Sequence, residues 1–245
     1  MAGRRRWLRW VIAGAAVVVV LAVGGPFVYI HFVEGPAPAP LGLKASRSAA
    51  PPATSPSGGG NAGGGNTGGA ASAVSGRWQA GPASVVGYRV KEVLLGQDNL
   101  AVGRSHAVSG SLTIDGTKVT AATFTVRMAT IHSDQSQRDV QFDGRIMDVS
   151  AYPTGTFSLT RPISLAPLPA VGTVRTYRAT GDLTLHGHTR RVSFPLSAER
   201  TATSIKVSGE IPITFADWSI PNPSFGSFVT TQNHGILEFL LVLGK

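Results

Sequence analysis

The sequence predicts an all-β domain of about eight antiparallel strands, preceded by one transmembrane helix and a flexible linker. Three observations predict it. Apolar and polar residues alternate with period two from Arg77 to Lys245. Residues 10–30, "WVIAGAAVVVVLAVGGPFVYI", are 21 positions without a formal charge. The stretch between them is rich in Pro, Gly, Ser and Ala and has no pattern that would bury one face.

The elements follow in chain order. Residues 1–9 form a basic segment containing "RRRWLR". Residues 10–32 read as the helix, because a bilayer core needs about 20 apolar residues and leaves no backbone polar group unpaired. Positive charge stays cytoplasmic, so the N-terminus is expected inside and the rest of the chain outside the cytoplasm. Trp7, Trp10 and Tyr29 fall near the two interfaces, where aromatic residues concentrate. The rival is a cleaved signal peptide, with Ala37-Pro38-Ala39 as its site. Its apolar region normally spans about 7–15 residues, and the longer run here favours an uncleaved anchor, single-pass in the cell membrane.

Residues 33–76 read as a disordered linker, since such a composition does not offset the entropy of ordering. As a coil it has an r.m.s. reach of about 35 Å. Gly58-Gly59-Gly60-Asn61-Ala62-Gly63 matches G-x-G-x-x-G literally. That pattern means dinucleotide binding only between a strand and a helix, and here it lies in a glycine tract.

From residue 77 the strands show themselves by parity. "VVGYRV" sets Val86, Tyr88 and Val90 on one face, and "AATFTVRM" sets Ala122, Phe124, Val126 and Met128 inward. "RSHAVSGSLTI" reads as one strand, and "TFSL" offers Phe157 and Leu159. "YRATGDLTL" and "VSFPL" offer Tyr177, Ala179, Leu183, Leu185, Val192, Phe194 and Leu196. "IKVSGEIPITF" and "ILEFLLVL" close the series through Phe215, Leu237 and Phe239. No strand-helix-strand series occurs, which argues against a parallel sheet. A closed barrel and a two-sheet sandwich share this period, and both remain open on it.

One segment breaks the alternation. In "HSDQSQRDVQFDGRIM" the Asp134 to Gln137 spacing is that of a capping box and predicts a short helix over 134–143. Val140, Phe142, Ile146 and Met147 would then cover one mouth of a barrel.

Composition excludes several functions. The chain has no cysteine, so disulfides, thiolate metal sites and a cysteine nucleophile are absent. The net charge of +9 is uneven, because residues 1–76 hold six cations against the single anion Glu34. That arginine cluster is a topology signal, not the basic stripe of a nucleic-acid domain. No G-x-S-x-G, Walker A or H-E-x-x-H motif occurs, and a non-enzymatic role is expected. His186-Gly187-His188 resembles a metal pair, but a site needs at least a third ligand and no spacing supplies one. The same residues suit a hairpin tip, with glycine providing φ > 0. No metal and no cofactor are expected.

Two longer stretches carry a resemblance. "RDVQFDGRIMDVSAYPTGTF", through Arg138, Asp139, Asp148, Tyr152, Pro153, Thr154, Thr156 and Phe157, is similar to a segment of the YceI-like, polyisoprenoid-binding family. "TGDLTLHGHTRRVSF", through Gly181, Asp182, Leu183, Thr184, Leu185, His186, Gly187 and Thr189, resembles that family's glycine-aspartate-leucine stretch. Asp217, Trp218 and Ile220 resemble its aspartate-aromatic turn. His188 departs from an apolar position, and residues 221–235 do not align with the pattern.

The resemblance spans residues 77–245 and implies an eight-stranded, lipocalin-like barrel whose interior takes a long isoprenoid or similar apolar lipid. The implied contacts are Phe124, Met128, Phe142, Met147, Phe157, Leu159, Leu183, Leu185, Phe194, Phe215, Trp218 and Phe239. Arg138 and His186 are candidates for the head group, since a guanidinium suits phosphate. The expected function is storage or transfer of that lipid at the envelope by a membrane-tethered, extracytoplasmic barrel. The alternative is a non-binding envelope protein whose barrel is filled by its own side chains. The two differ in one physical quantity, the space left between the inward-facing side chains.

Overall fold

The computed structural model of the protein describes residues 37–43, 74–94, 96–226 and 229–245. The expected basic segment 1–9, the expected membrane helix 10–32 and most of the expected linker lie outside the described residues. No helix among the described residues is long and apolar enough to cross a membrane.

Among the described residues, twelve strands make one sheet. β1 (Gly76–Ala80) and β2 (Val85–Leu94) are successive pieces of one bent strand, as are β3 (Gln97–Ser105) and β4 (Val108–Asp115). β1 pairs with β4 and β2 with β3 in nearly the same register, Trp78 opposite Leu112 and Tyr88 opposite Gly103. The bend at His106 divides the stretch expected as a single strand. β5 (Lys118–Arg127), β6 (Thr154–Leu159), β8 (Val174–Leu185), β9 (His188–Arg200), β10 (Ile205–Thr214) and β12 (His234–Gly244) follow round the wall. β7 (Ile163–Ser164) and β11 (Val229–Thr231) are short additions on β5 and β2.

β12 closes the ring. Its edges pair with β10 on one side and with β2 and β1 on the other, Phe239 facing Val86 and Gly244 facing Gln79. The domain is therefore an eight-stranded antiparallel barrel, not a sandwich. Closure removes the free edges that invite aggregation.

The ring is imperfect between β9 and β10. Their ladder runs only from Ile205 opposite Arg200 to Gly209 opposite Leu196. Pro195 and Pro212 stand just beyond it, and proline donates no ladder hydrogen bond. The single-turn helix Phe215–Trp218 packs against β9 beside this opening.

The expected helix is present but shorter. α1 spans Ser136–Gln141 and runs on into a π-turn over Phe142–Ile146. The expected capping box does not form, because its N-cap is Gln135 with no side-chain cap. Asp139 instead ties the helix to the turn before it. Its Oδ1 accepts both the Ser133 backbone N–H, at 2.8 Å, and the Ser133 hydroxyl, at 2.7 Å. Asp134 pairs instead with Arg138.

The described residues of the expected linker also depart from a free coil, with Val74 buried in the core and Gly76 opening β1. Residues 37–43 lie against the outer wall at β2, β3 and β12.

Candidate functional site

The inward residues form two buried clusters. Val90, Met128, Phe142, Leu183, Leu185, Phe194 and Phe215 belong to the one at the helix end. Trp78, Leu112, Ile205, Val207, Leu241 and Leu243 belong to the one at the β1 end. The clusters do not meet as a solid core. A chamber of about 230 Å³ lies within the barrel, lined almost wholly by apolar side chains. A second chamber of about 530 Å³ lies under the helix mouth. Gly87, Met128, Ile131, Leu185 and Leu237 line both, so this shared wall is the waist at which the two chambers adjoin.

Most of the expected contact residues line this space. Phe124, Phe157, Leu159, Leu183, Phe194 and Phe239 face the barrel chamber. Phe142, Met147 and Phe215 face the mouth chamber, and Met128 and Leu185 face both. The aromatic wall is braced edge-on, Phe157 against Phe194 at 5.5 Å and Phe194 against Phe239 at 5.9 Å. Such pairs stabilise one another beyond their buried area. Gly181 makes room for this, since a Cβ there would meet the Phe157 ring at 2.4 Å.

Trp218 lines neither chamber. It is buried, with its indole N–H donated to the Leu183 carbonyl at 3.1 Å, and so anchors the turn beside β10 onto β8. His186 lines neither chamber either. It sits at the β8–β9 tip with φ 47° beside Gly187 with φ 73°, the paired positive angles of a type I′ hairpin turn. Its ring centroid is 4.5 Å from that of Tyr152. The tip is thus packed, and among the described residues no group of three His, Asp or Glu side chains is placed to hold a metal.

The polar end of the space is the helix mouth. Arg138 lines it with both guanidinium ends engaged, Nη2 by Glu92 at 3.1 Å and Nη1 by Asp134. Burial disfavours its charge, but Glu92 and Asp134 outweigh that and hold the guanidinium above its ordinary value. Asn99 also donates to Glu92, at 2.9 Å. Tyr88 stacks on Phe142 at 5.2 Å. Burial pushes its phenol well above the usual range, against the opposing pull of Arg138.

Tyr88, Glu92, Ile131 and Arg145 were not among the expected site residues. The signal for Glu92 was parity, since it falls on the inward face after Val86, Tyr88 and Val90. Arg145 donates to the carbonyls of Asn222 and Pro223, at 3.1 and 2.9 Å. This clasps the stretch that matched no pattern, and Pro223, Phe225 and Val229 complete the rim.

With this geometry in place, comparison with known proteins decides the family. Residues 78–242 match the YceI-like domain. The chain belongs to the YceI-like family. Among solved structures, a polyisoprenoid-binding domain from Saccharophagus degradans, implicated in plant cell wall breakdown, superposes with a TM-score of 0.58. It is 19% identical, over 69% of this chain and 98% of that one. BcnA of Burkholderia cenocepacia gives 0.49 at 21% identity, over 63% and 95%. At 19% identity the first of these likenesses bears on the fold alone. No curated protein matches the sequence. In this YceI-like chain the two family motifs meet in space, Tyr152 of the Tyr-Pro-Thr stretch lying on the His186-Gly187 tip.

Proposed function

We propose that the barrel binds one long apolar lipid of the isoprenoid type. The chain threads the waist, and its polar end rests at the helix mouth. The supporting observation is the space itself: two chambers, apolar along the barrel and meeting at Met128, Ile131, Leu185 and Leu237. A barrel packed solid by its own side chains would leave no such volume. Each buried CH₂ contributes about 0.8 kcal/mol gross, so a prenyl chain gains several kcal/mol per unit before ordering costs. No catalytic group is required. The S. degradans domain, described as polyisoprenoid-binding, supports the same ligand class.

We further propose that residues 10–32 anchor the chain in the cell membrane and place the barrel outside the cytoplasm, for storage or transfer of that lipid. The test is denaturing extraction of the purified full chain followed by lipid mass spectrometry. About one prenyl lipid per chain is the expected result. A chain that carries none, and takes up no prenyl alcohol on titration, overturns the reading and leaves a barrel that serves the envelope without a ligand. The side of the membrane is read separately. The chain lacks cysteine, so Lys91→Cys should react with an impermeant maleimide added to intact cells.

A further inference from the structure

Glu238 is out of place for an outer-wall residue. Leu237, Phe239, Leu241 and Leu243 point into the barrel, so Glu238 points out, where water is expected. Its side chain is nevertheless fully buried. Two arginines from neighbouring strands converge on it. Arg89 Nε donates to Oε2 at 2.8 Å, and Arg104 Nη2 reaches Oε1 at 2.9 Å. Gly87 stands between Glu238 and Arg104 in the ladder. A Cβ there would meet Arg104 Cγ at 3.0 Å, so the glycine keeps that lane clear.

Two guanidinium groups on one carboxylate leave an excess of donors and one net positive charge. The chain supplies the missing acceptors itself. Arg89 Nη2 donates to the Pro38 carbonyl and Arg104 Nη2 to the Ala39 carbonyl. In return Leu41 N–H donates to Glu238 Oε2 at 3.0 Å, and Leu43 is buried. The segment reads Ala-Pro-Ala-Pro-Leu-Gly-Leu. Pro38 and Pro40 have fixed φ and no N–H, so the segment arrives pre-extended, rich in acceptors and with little entropy left to lose.

From this we infer that the β2–β3–β12 wall is a docking site for residues 37–43, and that this clamp, not a free linker, joins the barrel to what precedes it. The chain is then tied to the same barrel both at residues 37–43 and at β1. Where the membrane is concerned, the inference rests on the anchor proposed above. Six residue steps separate Phe32 from Pro38, at most about 20 Å of extended chain. A free 44-residue coil would have an r.m.s. reach of about 35 Å and a far longer limit. Clamped, the barrel keeps one wall beside the bilayer.

The test uses the full chain with spin labels at Ala37→Cys and Lys118→Cys. One narrow distance is expected. Glu238→Gln should broaden it into a coil-like distribution. The pair Pro38→Gly and Pro40→Gly should do the same from outside the barrel, where folding is not at risk. A broad distribution in the parent chain, or a narrow one that survives both changes, overturns the clamp.

The membrane part is read in nanodiscs, by energy transfer from a donor at Lys91→Cys to labelled lipid. Twenty Gly/Ser residues inserted after Phe32 should lower transfer, whereas the same insert after Ala62 should leave it unchanged. Equal loss from both inserts overturns the clamp. A narrow spin-label distance with no transfer in any form keeps the clamp and overturns the anchor.

Discussion

The ring of Tyr152 lies 4.5 Å from that of His186, across the tip of the β8–β9 hairpin. This contact joins the two motifs. The tip needs two positive φ angles, and Gly187 supplies one of them at 73°. A Cβ on Gly187 would also meet the Tyr152 ring at 2.6 Å. Gly187→Ala should therefore lower unfolding free energy by about 2 kcal/mol, from backbone strain and the displaced ring. Tyr152→Ala should lower it by a similar amount, about 2 kcal/mol, as a half-buried aromatic removed. Urea titration checks both, and bound lipid per folded chain should stay unchanged.

The buried pair at the mouth gives a second expectation. Arg138→Ala leaves Glu92 charged in a half-dry site, with Asn99 as its remaining identified donor. A fully buried pair broken this way costs about 3–5 kcal/mol. With Asn99 still donating and some water access, about 2 kcal/mol is expected. Arg138→Met together with Glu92→Gln should recover most of the loss, because no uncompensated charge remains. Denaturant unfolding of the parent and the two variants forms the check.

Legibility in the sequence varied with the range of the contact. Parity placed Phe124, Phe157, Leu183 and Phe239 on the cavity wall, because a barrel strand has one dry face throughout. Parity does not distinguish a barrel from a sandwich. That turns on β12 pairing with β10 and with β1 and β2, contacts that join the two ends of the domain. The Asp134–Gln137 spacing misled, because the helix starts one residue later, after Gln135, and Asp134 pairs with Arg138 instead. Trp218 and His186 were drawn to the site by motif, yet each closes a turn. The waist was not legible at all, since it depends on how four side chains from different elements approach.

Tyr88 makes stability pH-dependent on the alkaline side. Burial raises its folded-state pKa above the unfolded value of 10. Above pH 10 the unfolded chain has lost this proton and the folded chain retains it. Stability is thus fully present below pH 10 and falls as pH rises, with a slope approaching about 1.4 kcal/mol per unit. Tyr177, also raised by burial, adds in the same direction. Tyr88→Phe should flatten the fall between pH 10 and 11 relative to the parent. Unfolding free energies measured at half-unit intervals decide it.

The waist makes ligand length the sharpest probe of how the space is used. Leu185 lines both chambers and is itself buried. Leu185→Trp adds bulk where the two chambers adjoin, without adding charge. A short prenyl alcohol such as farnesol fits one chamber alone and should bind the variant within about threefold of the parent, under about 0.7 kcal/mol. A long one such as solanesol must pass the waist and should lose more than about tenfold, about 1.4 kcal/mol or more. Overpacking costs about 1–3 kcal/mol of stability in its own right, so binding is normalised to folded protein. Equal loss for both lengths would mean that the chain occupies one chamber and never threads the waist.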